Sequence, residues 1–403
     1  MTSSNDPLRL PCGVTLPNRL FKGAMSEGLG TPDGAPKPEL GALYGRWAES
    51  GIGLLITGNV MVDDRALGEP GNVVLEDERH LAALHGWAVR GTRGETQVWM
   101  QLNHPGKQAL RGLNRETVAP SAVPFEGAMG RAFDPPRALT VPEIRDLTRR
   151  FATAARLAAR GGFGGVQLHA AHGYLHSQFL SPRHNVRTDE YGGTPENRRR
   201  FLLETFASVR EAVGPRFPVS VKLNSSDFVR GGLSEEESLE VVRALGEAGC
   251  DLIEISGGTY EKPMMMVGQG KRGGFFAGFS ERARAVAGVP IGVTGGFRDT
   301  ATITQALATG AADMVGLARP LALDPDFAGR VLRGEDATST VRPLKTGLRA
   351  IDESSSFETL WHEDALRRIA RGQAVNPDEN MRLALLRIVG RTGLKTVLER
   401  RRA

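Results

Sequence analysis

The chain is 403 residues long, 40% hydrophobic and 24% charged, with a formal net charge of +5. That balance is ordinary for a soluble globular protein of one large or two smaller domains, and its longest apolar runs, such as GIGLLITGNVMV (51–62), are too short to span a bilayer. The two cysteines, Cys12 and Cys250, lie far apart and form no CxxC, which argues against a disulfide framework, iron–sulfur clusters and cysteine-bound zinc.

Aromatic residues make up 6% of the chain and no nucleic-acid-binding module is recognisable, so no nucleic-acid partner is expected. The basic segment LLRIVGRTGLKTVLERRRA (385–403) reads as a solvated helix face or a subunit contact, and a homo-oligomer is expected. MTSSNDPLRL at the N-terminus lacks the basic and apolar regions of a secretion signal, and with two distant cysteines a reducing cytoplasm is the expected location.

In chain order, LRLPCGVTLPNRL (8–20) reads as a small hairpin. Candidate strands follow at 19–25, 52–58, 96–102, 165–170, 218–223, 251–256, 289–295 and 312–318, each nearly continuous in Val, Ile and Leu, as strands buried on both faces should be. Helical patterns fill the intervals, near 39–49, 77–90, 139–162, 195–213, 233–249, 280–287, 299–309 and 324–333. The helix at 139–162 opens on a capping box, Thr140 with Glu143, and carries an apolar stripe of Ile144, Leu147, Phe151 and Ala154; Ser234 with Glu237 repeats the plan before 239–245. Eight strand–helix units predict an α/β fold, a (β/α)8 TIM barrel, with a doubly wound sheet as the alternative. The hairpin would close its bottom, and the Pro- and Gly-rich excursion 103–139 would cap its top. The predicted division is a barrel over 1–335 and a C-terminal helical extension over 336–403.

Barrel active sites lie at the C-terminal ends of the strands. There the pattern places Ser26, Gln101, His104, His169, His172, Tyr174 and Lys222. The stretch QLHAAHGYLHSQFLSP (167–182) admits three readings. His172 and His176 at i and i+4 could bind zinc, although Gly173 straight after His172 argues for a turn and the stretch is not HExxH. The histidines could be packed in the barrel wall. Alternatively, two imidazoles at one strand end could donate N–H bonds to a carbonyl oxygen that gains charge, with Tyr174 as a proton donor.

Gly295 and Gly296 after strand seven and Arg319 after strand eight fit a phosphate site, where glycine lets backbone N–H groups approach. GQGKRG (268–273) matches G-x-G-x-x-G but follows no clean strand and opens no helix, so it reads as a loop bordering the pocket.

GVQLHAAHGYLHSQFLSPRHNVRTDEYGGTPENRRRF (165–201) resembles the signature of the old yellow enzyme family of FMN-dependent ene-reductases. PNRLFKGAMS, LNHPGKQA, VAPSAVP and ADMVGLARPLALDPDF are similar to further blocks in the family's order, so that the resemblance covers about residues 8–335. It implies a barrel holding non-covalent FMN at its mouth. NADH or NADPH would reduce the flavin, and an α,β-unsaturated carbonyl compound would then be reduced at its C=C bond. It further implies that His169 and His172 bind the acceptor's carbonyl oxygen and that Tyr174 protonates the carbon α to it. Gln101 and Lys222 would contact the flavin ring, Ala24, Met25, Ser26 and Asn59 would line it, and Gly295, Gly296, Ala318 and Arg319 would hold its phosphate end. Lys222 stands where many members carry arginine, and Ser26 where threonine or cysteine is frequent; lysine keeps the cation but loses the planar fork. Other readings of the chain are a related flavin oxidoreductase acting on an acyl-CoA thioester, an NADH oxidase, or, from another class, a metal-dependent barrel hydrolase.

Overall fold

The computed structural model describes residues 2–267, 274–352 and 355–399; the GQGKRG stretch lies outside them. Eight parallel strands close on themselves: β1 (Leu20–Lys22), β2 (Leu54–Met61), β3 (Gln97–Asn103), β4 (Gly165–Ala170), β5 (Val219–Asn224), β6 (Leu252–Ser256), β7 (Ile291–Thr294) and β8 (Met314–Leu317). β8 pairs with β1 and β1 with β2, which joins the last strand to the first. Every residue of β4, β5 and β6 is buried, so each strand is covered on both faces.

The surrounding helices are α1 (Pro38–Ala48), α2 (Leu81–Gly91), α3 (Val141–Arg160), α4 (Pro195–Val213), α5 (Glu235–Glu247), α6 (Ala277–Ala287), α7 (Thr300–Ala308) and α8 (Phe327–Leu332). This is a (β/α)8 barrel, and the doubly wound alternative falls away. α3 opens on the complete Thr140–Glu143 box and buries Ile144, Leu147, Phe151 and Ala154. At α5 only half of the expected box forms. Ser234 takes the Glu237 N–H, but the Glu237 carboxylate turns to the guanidinium of Arg198, a charged donor that outcompetes a backbone N–H.

The N-terminal hairpin pairs Leu8 with Leu16. Its leucines pack with Leu54, Leu252 and Met314, the first residues of their strands, and so plug the N-terminal end of the barrel. At the other end the excursion after β3 builds its own pair, Val118–Ala119 beside Arg137–Ala138, around a short helix, Gly127–Ala132. Past the barrel, α9 (Ser355–Ala370) and α10 (Met381–Glu399) share an apolar cluster of Leu344, Phe357, Trp361, Ala365, Ala384 and Ile388. α9 packs against α1, and its Arg367 donates to the Gly28 carbonyl at 2.8 Å, which brings the C-terminal segment to the loop after β1.

Candidate active site

Strand register assembles the site. It sets Asn59 beside Gln101, Gln101 beside Gln167, His169 beside Lys222, and Lys222 beside Glu254. Paired residues of a parallel ladder share a face, so five consecutive strands contribute to one polar layer. A β-bulge between Ile56 and Asn59 shifts the register of β2, and Thr57 Oγ1 accepts the Gln101 N–H there at 2.9 Å.

Within this layer runs a directed chain. Gln101 Nε2 donates to Gln167 Oε1 (2.7 Å), and Gln167 Nε2 donates to Glu254 Oε2 (3.0 Å). Glu254 Oε1 meets Lys222 Nζ at 2.8 Å and the Thr294 hydroxyl at 2.7 Å. Glu254 is fully buried, and three donors satisfy its charge. The carboxylate orients both amides, because it can only accept and so draws the N–H side of Gln167 toward it, which leaves Gln167 Oε1 to accept from Gln101.

β4 leads into a turn. His172 adopts φ 61°, a left-handed conformation uncommon outside glycine, and is held by its N–H to Asn224 Oδ1 at 3.0 Å. Gly173 follows at φ 78°, where a Cβ would lie 2.6 Å from Gln108 Oε1. The reversal throws Tyr174 back over His169, with ring centroids 4.8 Å apart, while the His169 and His172 rings stand 5.1 Å apart. His169 Nδ1 accepts the Ala171 N–H at 3.2 Å, so the ring proton belongs on Nε2. His172 Nε2 lies 2.8 Å from the Ser256 hydroxyl. Burial holds both imidazoles well below the usual pKa of 6.5, with the Lys222 cation adding to the effect. Tyr174 is shifted the other way, well above 10, first by burial. Its hydroxyl receives Asn59 Nδ2 at 3.3 Å and lies 2.9 Å from the hydroxyl of Tyr260, which follows β6.

Two histidines go elsewhere. His176, on the short helix Leu175–Leu180, stacks on Phe201 at 4.6 Å and 17°, and burial pushes its pKa down to about 3. His104 is buried with Asp63, Arg150 and Arg65 as its charged neighbours, none of them in the polar layer. Among the described residues, the one set of three or more potential ligands that converges is Asp63, Asp64 and Glu76, which includes no histidine. The i, i+4 zinc geometry is therefore not realised: the turn at Gly173 separates His172 from the helix that carries His176.

Ala24, Met25 and Ser26 form a half-buried stretch after β1, and Ser26 lies close to Glu69, whose carboxyl is raised by burial. Gly295 and Gly296 directly follow β7, and Ala318 and Arg319 directly follow β8. Arg319 pairs at 3.1 Å with Glu358 of α9. Four residues of this region escaped the sequence reading. Gln167 had a usable signal, since it lies two positions before His169 and so on the same strand face. Glu254 is a carboxylate inside the apolar run LIEIS. Tyr260 and Glu358 come from a loop and from the C-terminal extension, and no local pattern marks them.

A sequence profile of the NADH:flavin oxidoreductase / NADH oxidase family matches residues 6–337. The chain belongs to this family, that of the old yellow enzymes. It is 41% identical to the NADH-dependent flavin oxidoreductase iliE of Hypocrea jecorina, over 79% of this chain and 86% of that protein. Its structure is similar to the old yellow enzyme homologue from Zymomonas mobilis, at 26% identity and a TM-score of 0.73, over 84% of this chain and 95% of that one. It is also similar to 2-naphthoyl-CoA reductase in complex with 2-naphthoyl-CoA (27% identity, TM-score 0.78), over 84% of this chain but 54% of the reductase.

As an old yellow enzyme family member, the protein is an oxidoreductase that uses FMN and a reduced nicotinamide. The residues present fit FMN. Asn59 Oδ1 is buried in the polar layer with no partner among the described residues, an acceptor suited to a ring N–H. Gly295 and Gly296 hold φ 130° and 88°, and a Cβ on Gly296 would lie 3.1 Å from the Phe275 backbone nitrogen, so this corner keeps its backbone bare. Burial, with the Arg319 guanidinium as a second cause, lowers the pKa of Arg298, which puts two cations at this corner.

Proposed function

We propose that this protein is an ene-reductase that reduces the C=C bond of α,β-unsaturated carbonyl compounds. FMN, when bound, would supply the redox chemistry, the transfer of hydride from a reduced nicotinamide to the acceptor's β carbon. The chain's own residues do the rest. His169 and His172 bind the carbonyl oxygen and stabilise the charge that builds there. Tyr174 gives its proton to the α carbon. Gln101 and Lys222 would face the flavin ring, Ala24, Met25, Ser26 and Asn59 would line it, and Gly295, Gly296, Ala318 and Arg319 would hold its phosphate end.

The observation that carries this reading is the His169 ring, kept neutral by burial with its proton assigned to Nε2 by the Ala171 N–H, and set edge-on to Tyr174 with ring centroids 4.8 Å apart. A neutral imidazole donates one N–H without bringing a charge that the buried site would have to solvate.

The visible spectrum tests the reading. Anaerobic NADH should bleach the flavin, and 2-cyclohexenone should restore it. Tyr174→Phe should slow the restoration while the bleaching rate changes little; His169→Ala should slow it about 100-fold. Equal loss in both half-reactions would remove Tyr174 from the acid role. The likeness to 2-naphthoyl-CoA reductase favours a second acceptor class, acyl-CoA thioesters. Reoxidation by an enoyl-CoA and not by 2-cyclohexenone would select it. None of the described helices is long and apolar enough to cross a membrane. The expected homo-oligomer is to be read by light scattering.

A further inference from the structure

Tyr174 is 6% exposed, and each turnover of the proposed reaction removes its proton. A buried phenolate must then be reprotonated before the next acceptor arrives. Among the described residues, Asn59 and Tyr260 are the groups hydrogen-bonded to its oxygen. Asn59 reaches it through a carboxamide N–H, which does not release a proton at neutral pH. Tyr260 reaches it through a hydroxyl that is itself desolvated, on a residue that is 37% exposed as a whole and so borders solvent.

We propose that Tyr260 is the proton relay of this site, passing protons from solvent to Tyr174. The inference rests on Tyr174 being the acid. A phenol oxygen carries one O–H and two lone pairs. Asn59 donates to the Tyr174 oxygen, and in the orientation in which Tyr260 also donates to it both lone pairs of Tyr174 are engaged and its own O–H is left for the acceptor. When Tyr174 protonates the α carbon, its O–H bond breaks and a C–H bond forms. The Tyr260 proton then moves 2.9 Å along the existing hydrogen bond to the Tyr174 phenolate, and Tyr260 takes a proton from water. The net reaction consumes one solvent proton and one hydride per C=C bond.

The loop that carries Tyr260 is built to hold this contact. Thr259 forms a parallel bridge with His172, which ties the β6 loop to the β4 turn. Thr259 and Lys262 exchange backbone hydrogen bonds at 3.0 Å, closing a tight turn over Tyr260 and Glu261. Glu261 is clamped by Arg183 at 3.0 Å and by His184 at 3.1 Å. On its outer side the Tyr260 ring meets Phe133 of the capping excursion, with centroids 6.2 Å apart. The charge of Glu69 bears on both tyrosines and opposes a lasting phenolate on either, so it favours rapid reprotonation.

The test separates the first turnover from those that follow. FMN-loaded enzyme is reduced with NADH and mixed with 2-cyclohexenone, first without and then with excess NADH. In Tyr260→Phe the single turnover should fall less than threefold, because Tyr174 starts protonated. Later turnovers should fall tenfold or more relative to wild type, giving a burst of about one product per flavin. Tyr260→His, which restores an exchangeable proton, should abolish the burst. First and later turnovers falling together in Tyr260→Phe would overturn the relay, as would a histidine variant no better than phenylalanine. A Tyr174→Phe enzyme with a wild-type single turnover would instead overturn the acid assignment on which the relay rests.

Discussion

Burial does opposite things to the two kinds of proton carrier at this site. It keeps His169 and His172 neutral below pH 6.5 and keeps Tyr174 and Tyr260 protonated above pH 10, the latter with a pKa pushed up to about 12. None of the four then changes charge near neutrality, and the rate of flavin reoxidation by 2-cyclohexenone should be flat between about pH 7 and 9. A break in that profile inside the window would contradict the protonation states. Glu254 makes a second residue-scale prediction. Its carboxylate pairs with Lys222, so the layer beneath the expected flavin position holds a compensated cation. Glu254→Gln removes the compensation and should raise the midpoint potential of bound FMN by some tens of millivolts; about 30 mV corresponds to 1.4 kcal/mol for a two-electron couple. An unchanged potential would place Lys222 away from the ring.

At the scale of elements, the site is a product of parallel pairing and of one helix from outside the barrel. Neighbouring strands in register turn single polar residues in apolar runs into a connected layer. Gln101 and Lys222 were legible from their place at strand ends, but the chain through Gln167 and Glu254 that orients them exists only once β3, β4, β5 and β6 are aligned. α9 adds Glu358 to the corner that the resemblance assigns to phosphate. Its carboxylate competes for Arg319, so Glu358→Gln should tighten FMN binding several-fold, up to about tenfold or 1.4 kcal/mol. Titration of the apoprotein with FMN, followed by quenching of flavin fluorescence, measures it. Weaker binding would mean that Glu358 positions Arg319 instead of competing for it.

At the scale of the whole molecule, buried histidines link stability to acid. Burial holds His104 at about 4 and His176 at about 3, both below the unfolded value of 6.5. Between those values the unfolded chain binds more protons than the folded one. Stability is therefore complete above pH 6.5 and falls as the pH drops toward 4 and 3. His176 packs as an aromatic ring between Phe201 and Phe151, so His176→Phe should be nearly neutral at pH 7. At pH 5 it should spare about 2 kcal/mol of acid destabilisation. Urea denaturation at the two pH values checks this; an unchanged pH dependence would mean that His176 is accessible to protons when folded.

The order of strands and helices, the plugging hairpin and the positions of His169, His172 and Tyr174 were determined by the amino-acid sequence alone. Hydrophobic periodicity, capping residues and turn glycines act over a few residues, and they specify elements directly. The partners of those residues were decided only by the tertiary structure. Glu237 turns to Arg198 and not to its own helix cap. His104 sits beside Asp63, Glu358 reaches Arg319, and Tyr260 meets Tyr174. Each of these pairings spans 39 or more residues of chain. Electrostatic and hydrogen-bond partners are chosen by distance in space, and barrel closure, which brings such distant segments within 3 Å or so, leaves no trace in local sequence pattern.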